Sequence, residues 1–146
     1  LGWPVIAVGA EPGARLAFAL PWCFVAFVPY ALVCVTISQL RLFQGAHDPL
    51  AGAEDEALKL HCRVMQNTLE QLVWFVLCIL PLSVLLGPDQ VHLVPLSAGV
   101  FTLARLAYWR GYFLKGTLGR RYGVQMTFTL NGCLMVLVPL LWLGVI

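Results

Sequence analysis

Charged residues are scarce in this sequence. Only 11% of its 146 residues are charged, while 60% are hydrophobic. A soluble domain of this length carries roughly 25% charged residues, so most of the surface is expected to face lipid rather than water. The length allows one domain. The net charge of +2 is too small to indicate nucleic-acid binding, and the sequence has no nucleic-acid-binding motif.

Paired cysteines and metal-ligand spacings are also lacking. The five cysteines are scattered through apolar runs, with no C-x-x-C pair and no Cys/His spacing of a zinc site. Neither a disulfide framework nor a metal site is therefore predicted. Residues 1–14 lack the basic start of a signal peptide and are broken by glycine and proline. They are too short to span a membrane, and we expect an interfacial lead-in.

What the chain does have is a series of long apolar runs. A membrane-spanning helix needs about 20 mostly apolar residues, and no alternating strand pattern is present. The sequence therefore predicts an all-α integral membrane protein, a four-helix bundle forming one domain over residues 1–146. The predicted spans are residues 16–40, 59–86, 91–113 and 122–146.

Basic residues flank only one side of these spans. Lys and Arg lie in or beside the first and third connections, whereas the connection "GPDQVH" has none. Basic connections stay in the cytoplasm, so both termini are predicted to be non-cytoplasmic. In a eukaryote the membrane would be the endoplasmic reticulum or another endomembrane, and in a bacterium the inner membrane.

The second span carries a polar stripe near its start. Arg63, Gln66, Asn67 and Glu70 are spaced three and four residues apart, so a helix places them on one face. Ionisable groups within spans are costly, so we expect them to face the bundle interior and to pair.

The third span repeats this pattern with Arg105, Tyr108 and Tyr112. We expect Arg105 to pair with Glu70 of the second span. Such a pair can simply hold helices together. However, Arg63 then remains without a carboxylate, and further arginines and lysines crowd the same end of the bundle. This excess favours a binding site for a small ligand that carries carboxylates.

Two motifs and a shorter stretch resemble the MAPEG family, the membrane-associated proteins in eicosanoid and glutathione metabolism. "RVMQNTLE" at 63–70 has the Arg, Asn and Glu of the family's second-helix motif. "ARLAYWRGY" at 104–112 has the Arg, Tyr and Tyr of its third-helix motif. "QLRL" at 39–42 resembles the end of the family's first helix. The resemblance covers roughly residues 16–146.

The resemblance implies a homotrimer that binds glutathione between the second helix of one subunit and the first helix of its neighbour. Arg63, Asn67 and Glu70 would hold the peptide, with Glu70 taking its amino group. Tyr108 and Tyr112 would donate hydrogen bonds to it. The ligand chemistry agrees, since glutathione has two carboxylates and one ammonium group.

The resemblance also implies an arginine that stabilises the glutathione thiolate. A nearby guanidinium favours the ionised thiol, and in the family this arginine comes from the third connection or the start of the fourth helix. Arg120 and Arg121 are both candidates, and Arg41 at the end of the first span is a further one.

The sequence departs from the family's eicosanoid enzymes at two places. Trp74 lies where those enzymes have a proline, which here comes only at Pro81, and Gln66 lies where some members have another arginine. The expected function is glutathione-dependent transfer or peroxide reduction on a lipophilic substrate. The alternative is a non-catalytic membrane protein that binds a lipid or a partner protein in the same cleft. A channel or transporter is disfavoured because no pair of broken helices is evident.

Overall fold

Four long α-helices make up the structure, a computed structural model that describes residues 9, 11–44 and 55–145. They are α1 (Pro12–Gln44), α2 (Glu56–Leu85), α3 (Leu93–Gly119) and α4 (Arg121–Trp142). A short 3-10 turn, Pro88–Gln90, joins α2 to α3. The described residues contain no strand, and all four helices are long and apolar enough to cross a membrane. The predicted all-α architecture is confirmed.

The helix ends follow from local sequence signals. Asp55 caps α2, because its carboxylate accepts a hydrogen bond from the Leu58 backbone N–H at 2.7 Å. At the other end of α2, Arg15 of α1 donates a hydrogen bond to the Leu86 carbonyl.

Of the predicted lead-in, residues 12–14 belong to α1, and residues 1–8 and 10 lie outside the described part of the chain.

The helices are arranged around the bundle in the order α1, α2, α4, α3. Each helix packs along its two neighbours in that order, and α2 and α3 also touch across the centre. There the rings of Phe75 and Phe101 stack with their centroids 4.6 Å apart. Both rings are fully buried. The outer surface carries many large apolar side chains, as expected for helices that face lipid.

A close crossing of α3 and α4 depends on glycine. A Cβ atom added to Gly123 would lie 2.5 Å from the Tyr108 nitrogen and 2.6 Å from the Ala104 oxygen. No real side chain tolerates such distances, so only glycine allows α4 to approach α3 here. This crossing holds Tyr108 inside the bundle.

The last turn of α3 contains a kink. Lys115 leaves helical geometry (φ −136°, ψ 18°), and Gly116 adopts a positive φ of 56°. A positive φ is strained for residues other than glycine. The kink redirects the chain into α4 at the end of the bundle where α1 also ends and α2 begins. We refer to this end as the basic end, since most of the chain's arginines and lysines lie there.

Candidate functional site

Three polar side chains of α2 lie on the outer surface of the single chain. Arg63, Gln66 and Glu70 are all exposed, and Gln66 Nε2 donates a hydrogen bond to Glu70 Oε1 at 3.1 Å. The same face of α2 continues toward the other end with apolar residues, including Val73 and Leu77. We refer to Arg63, Gln66 and Glu70 as the polar face of α2.

Arg105 lies inside the bundle, with only 1% of its surface exposed. Its Nη2 donates to Asn67 Oδ1 at 2.9 Å and to Thr68 Oγ1 at 3.1 Å. Its guanidinium carbon lies 4.1 Å from the centroid of the Tyr108 ring, a cation–π distance. Arg105 therefore joins α3 to α2 through neutral partners.

The predicted pair between Glu70 and Arg105 is wrong. Among the described residues, Glu70 forms no ion pair with Arg105 and instead accepts from Gln66. The physical reason is the orientation of α2. Thr68 faces the bundle interior and reaches Arg105. Glu70 lies two residues later, which places it about 160° from Thr68 around the helix axis. Glu70 is thus left available to a ligand or a second chain.

Asn67 connects the interior to the polar face of α2. It is half-buried, and its Oδ1 is occupied by Arg105. This hydrogen bond assigns the orientation of the amide, because a guanidinium can only donate and its partner must be the oxygen. The Asn67 Nδ2 is consequently the group left to donate to a ligand, and its natural acceptors are carboxylate or carbonyl oxygens.

The two tyrosines of α3 lie next to each other at the basic end. Tyr108 and Tyr112 are both buried, and their ring centroids are 5.9 Å apart. The guanidinium carbon of Arg120 lies 4.7 Å from the centroid of the Tyr112 ring. A continuous set of contacts therefore runs from Arg105 through Tyr108 and Tyr112 to Arg120.

Arg121 points elsewhere. Its guanidinium carbon lies 4.6 Å from the Tyr122 ring centroid, and its Nη2 donates to the Tyr122 hydroxyl at 2.5 Å. It lines an outer groove between the end of α3 and the start of α4 that also includes Arg110 and Lys115. The two arginines left open by the sequence are thus separated by the structure, and Arg120 is the one in contact with a predicted site tyrosine.

Arg41 of α1 lies beside the start of α2. Its Nη2 is 4.0 Å from Cys62 Sγ, and Cys62 immediately precedes Arg63. The structure therefore brings Arg41 close to the polar face of α2 within one chain.

Several buried polar residues near the site form contacts whose partners were not predicted. Asn131 of α4 donates from Nδ2 to both the backbone oxygen and Oε1 of Gln71, at 3.1 Å each. Trp109 Nε1 donates to His61 Nδ1 at 3.2 Å. Thr68 follows Asn67 in the sequence, but its orientation toward α3 was not predictable. Like the other contacts, it depends on which helices are neighbours, and no sequence period contains that information.

The described residues contain no group of three His, Cys, Asp or Glu side chains placed to hold a metal ion.

The residues of the polar face of α2 fit the charges of glutathione. The polar face of α2 combines a guanidinium, an amide and a carboxylate, which match a ligand with two carboxylates and one ammonium group.

Fold and site together define a multi-pass α-helical membrane protein with charges of both signs at one end of its helices. The sequence model of the MAPEG family matches residues 19–140 of the 146-residue chain, and the chain belongs to the MAPEG family. This family includes glutathione transferases and related membrane proteins. A search of curated proteins and a search of solved structures each found no match.

Proposed function

We propose that this chain is a membrane-embedded, glutathione-dependent transferase or peroxidase acting on a lipophilic substrate. The observation that carries the proposal is the outward position of Arg63, Gln66 and Glu70. These residues are polar where the surface of a membrane helix is normally apolar, and their charges complement those of glutathione.

The depth of Glu70 supports a subunit boundary at the polar face of α2. At 1.5 Å per residue, the roughly 30 Å of hydrocarbon counted back from Leu86 ends near Gln66. Glu70 then lies about 6 Å inside the hydrocarbon, where a charged side chain facing lipid is unfavourable, although by less than the roughly 3 kcal/mol at the bilayer centre. A second copy of the chain would cover this face, and we propose the homotrimer implied by the family, with glutathione bound between subunits.

The roles of the binding residues follow from their groups. Arg63 would pair with a glutathione carboxylate, and Glu70 with its ammonium group. Asn67 Nδ2, oriented by Arg105, would donate to a backbone carbonyl or carboxylate of the peptide. Arg105 itself is too deeply buried to serve as a first contact, so its contribution is to orient Asn67.

Arg120 is the proposed activator of the thiol. Ionising a thiol of pKa about 8.5 near neutral pH requires a downward shift of about 1–2 units, worth about 1.4 kcal/mol per unit. A guanidinium in a partly dry cleft can supply this. The thiolate sulfur would then bond to an electrophilic carbon and displace its leaving group. With a lipid peroxide it would attack the peroxide oxygen and release the alcohol, and a second glutathione would reduce the resulting sulfenic acid.

A groove between α3 and α4 could hold the lipophilic substrate. Its volume is about 550 Å³, which lies in the range of small-molecule binding pockets. It opens toward the surrounding lipid and begins at Tyr122, two residues after Arg120. The lining is mostly apolar with a few polar groups: Val100, Tyr122, Gln125, Met126, Thr129, Leu130 and Cys133.

The alternative is a non-catalytic protein that binds a lipid or a partner protein in the same cleft. The existing hydrogen bond between Gln66 and Glu70 favours it, because these two groups partly satisfy each other without a ligand. The departures from the family's enzymes at Gln66 and Trp74 point the same way.

Isothermal titration with glutathione in detergent separates the two functions at the first step. We expect the wild-type protein to bind glutathione and Arg63→Ala to bind it at least tenfold more weakly, since a charge-assisted hydrogen bond contributes about 1.5–3 kcal/mol. Lys59→Gln is the matched control, because it removes an exposed cation of α2 that already pairs with Glu56 at 3.1 Å. Absence of any glutathione binding would refute the enzyme proposal.

The adjacent arginines supply the test of chemistry. Arg120→Gln should leave glutathione binding nearly unchanged but abolish the thiolate absorbance and conjugation to a chlorodinitrobenzene. Arg121→Gln, one residue away, should retain both. The reverse result would assign the thiol to Arg121. If the wild-type protein binds glutathione without forming a thiolate and without turnover of conjugation or lipid-peroxide substrates, that result would favour the non-catalytic alternative.

The proposed membrane arrangement also has direct tests. We propose one four-span domain with the basic end in the cytoplasm and both termini on the opposite side, following the distribution of Lys and Arg. The membrane would be an endomembrane in a eukaryote or the inner membrane in a bacterium. Mass measurement in mild detergent should show a trimer. A sample that contains monomers or dimers but no trimer would contradict this arrangement.

A further inference from the structure

The geometry points to a second binding site, on the outer edge of α3 and α4 at the basic end, that holds the head group of an anionic phospholipid. This inference goes beyond the proposed function and does not depend on glutathione. It starts from Arg121, whose guanidinium contacts Tyr122 rather than a tyrosine of the proposed glutathione site.

The groove around Arg121 is strongly basic. It has a volume of about 490 Å³, and the described residues that line it include three cations and no carboxylate. The cations are Arg110, Lys115 and Arg121, and the hydroxyl of Tyr122 lies beside them. All four residues are exposed. Basic pockets between membrane helices are typical binding sites for anionic lipid head groups.

Backbone geometry shapes this groove. A Cβ atom on Gly111 would collide with the carbonyl of Gly119, so the two backbone segments meet closely at the groove floor. The kink at Lys115 and Gly116 folds the chain back toward α3. Arg121 also starts α4, and its preceding N-cap residue makes no side-chain capping bond. The positive end of the α4 dipole therefore lies beside the groove and adds to the preference for an anion.

The groove lies at the depth of lipid head groups. Arg110 is 17 residues from the start of α3 at Leu93, a rise of about 26 Å against a hydrocarbon thickness of about 30 Å. The exposed neighbours Leu106 and Phe113 are apolar. Arg110 can therefore extend its aliphatic part along lipid while its guanidinium reaches the phosphate level.

A second, apolar groove adjoins the first and shares Arg110 with it. It has a volume of about 430 Å³ and is lined by Leu106, Trp109, Arg110 and Phe113. This pairing matches a phospholipid, with an acyl chain beside the aromatic side chains and a phosphate beside the cations. A soluble phosphate would use only the basic groove, so the adjoining apolar groove favours a lipid.

Native mass spectrometry of delipidated protein in detergent tests the inference. The probes are phosphatidylglycerol, which has a net negative charge, and phosphatidylcholine with the same acyl chains, which has none. We expect the wild-type protein to bind phosphatidylglycerol at least fivefold more tightly. Arg110→Gln and Arg121→Gln should each weaken this binding about fivefold, the change expected for about 1 kcal/mol per cation. Both should leave phosphatidylcholine binding unchanged.

Lys59→Gln is the control for net charge, since it removes a cation of the same end outside the groove. Equal binding of the two lipids by the wild-type protein would overturn the inference without requiring any variant to fold. An equal loss in Lys59→Gln would also overturn it, because the effect would then reflect overall charge. Displacement of the lipid by glycerophosphate at equal concentration would assign the groove to a soluble anion instead.

Discussion

Replacing Thr68 with valine should destabilise the protein, although valine has nearly the same shape. Thr68 is 1% exposed, and its Oγ1 accepts a hydrogen bond from Arg105 at 3.1 Å. Arg105 Nε already has no hydrogen-bond partner among the described residues. Among the described residues, Thr68→Val leaves the buried guanidinium its hydrogen bond to Asn67 and its contact with Tyr108.

The magnitude can be bracketed from two directions. A hydrogen bond to a charged group contributes about 1.5–3 kcal/mol in soluble proteins. Polar contacts between membrane helices average about 0.6 and reach about 1.7 kcal/mol, because the unfolded chain in the membrane also finds partners. We therefore expect Thr68→Val to lower the free energy of unfolding by about 1–2 kcal/mol. Thr68→Ser keeps the hydroxyl and should lose less.

Glu70→Gln provides the decisive comparison. A buried ion pair between Glu70 and Arg105 would make this substitution cost about 3–5 kcal/mol. In the described part of the chain Glu70 accepts a hydrogen bond from Gln66, and a glutamine at position 70 can keep that bond. We expect Glu70→Gln to unfold like the parent when glutathione is absent.

The assay is unfolding in detergent or bicelles, followed by circular dichroism, with the three variants and the parent measured at one protein concentration. A double-mutant cycle with Arg105→Met should give a coupling of about 1 kcal/mol with Thr68→Val, and none with Glu70→Gln. If Glu70→Gln is as destabilising as Thr68→Val, or if it couples to Arg105, the account of this buried arginine is refuted.

Two further substitutions test packing between α4 and its neighbours, by the same unfolding assay. Gly123→Ala should destabilise the protein by about 1–3 kcal/mol, because the added Cβ has no space against α3. Gly132→Ala on the same helix is the control, since its Cβ would meet nothing within 4 Å, and it should be neutral or stabilising. Equal effects of the two substitutions would contradict the close crossing. Asn131→Ala should lower the free energy of unfolding by about 1–2 kcal/mol, because it removes the hydrogen bonds to Gln71. Gln125→Ala, at an exposed position of α4, is the control. A similar loss of stability in both variants would indicate a general effect on α4.

The helices themselves were predictable because the signal is long and one-dimensional. Apolar runs of membrane length, separated by short polar breaks, need no knowledge of neighbours. Even so, α2 begins at Glu56, before the predicted span, since the Asp55 cap adds a polar first turn that hydropathy does not count. The polar face of α2 was also predictable, because helical spacing alone groups Arg63 with Gln66 and Glu70.

Pairing between helices was less predictable. Helical spacing places Glu70 and Asn67 on nearby parts of one helix, but it does not tell which of them is turned toward α3. A rotation of α2 by one residue, about 100°, exchanges interior and exterior partners. Opposite charge made Glu70 the natural choice for Arg105, yet the interior position went to Thr68, which offers an oxygen without bringing a second buried charge.

The separation of Arg120 from Arg121 has the same physical origin. Consecutive residues at a helix start point about 100° apart, and the two adjacent arginines here contact different tyrosine rings. Which of them does so is decided by the kink at Gly116, whose positive φ sets the rotation with which α4 begins. Both proposals follow from this rotation. Arg120 contacts the Tyr112 ring and is proposed to stabilise the glutathione thiolate. Arg121 contacts the Tyr122 ring and is proposed to bind the lipid head group. Gly116→Ala strains that kink, so it should disturb conjugation and anionic-lipid binding together, whereas Arg120→Gln and Arg121→Gln should each disturb only one.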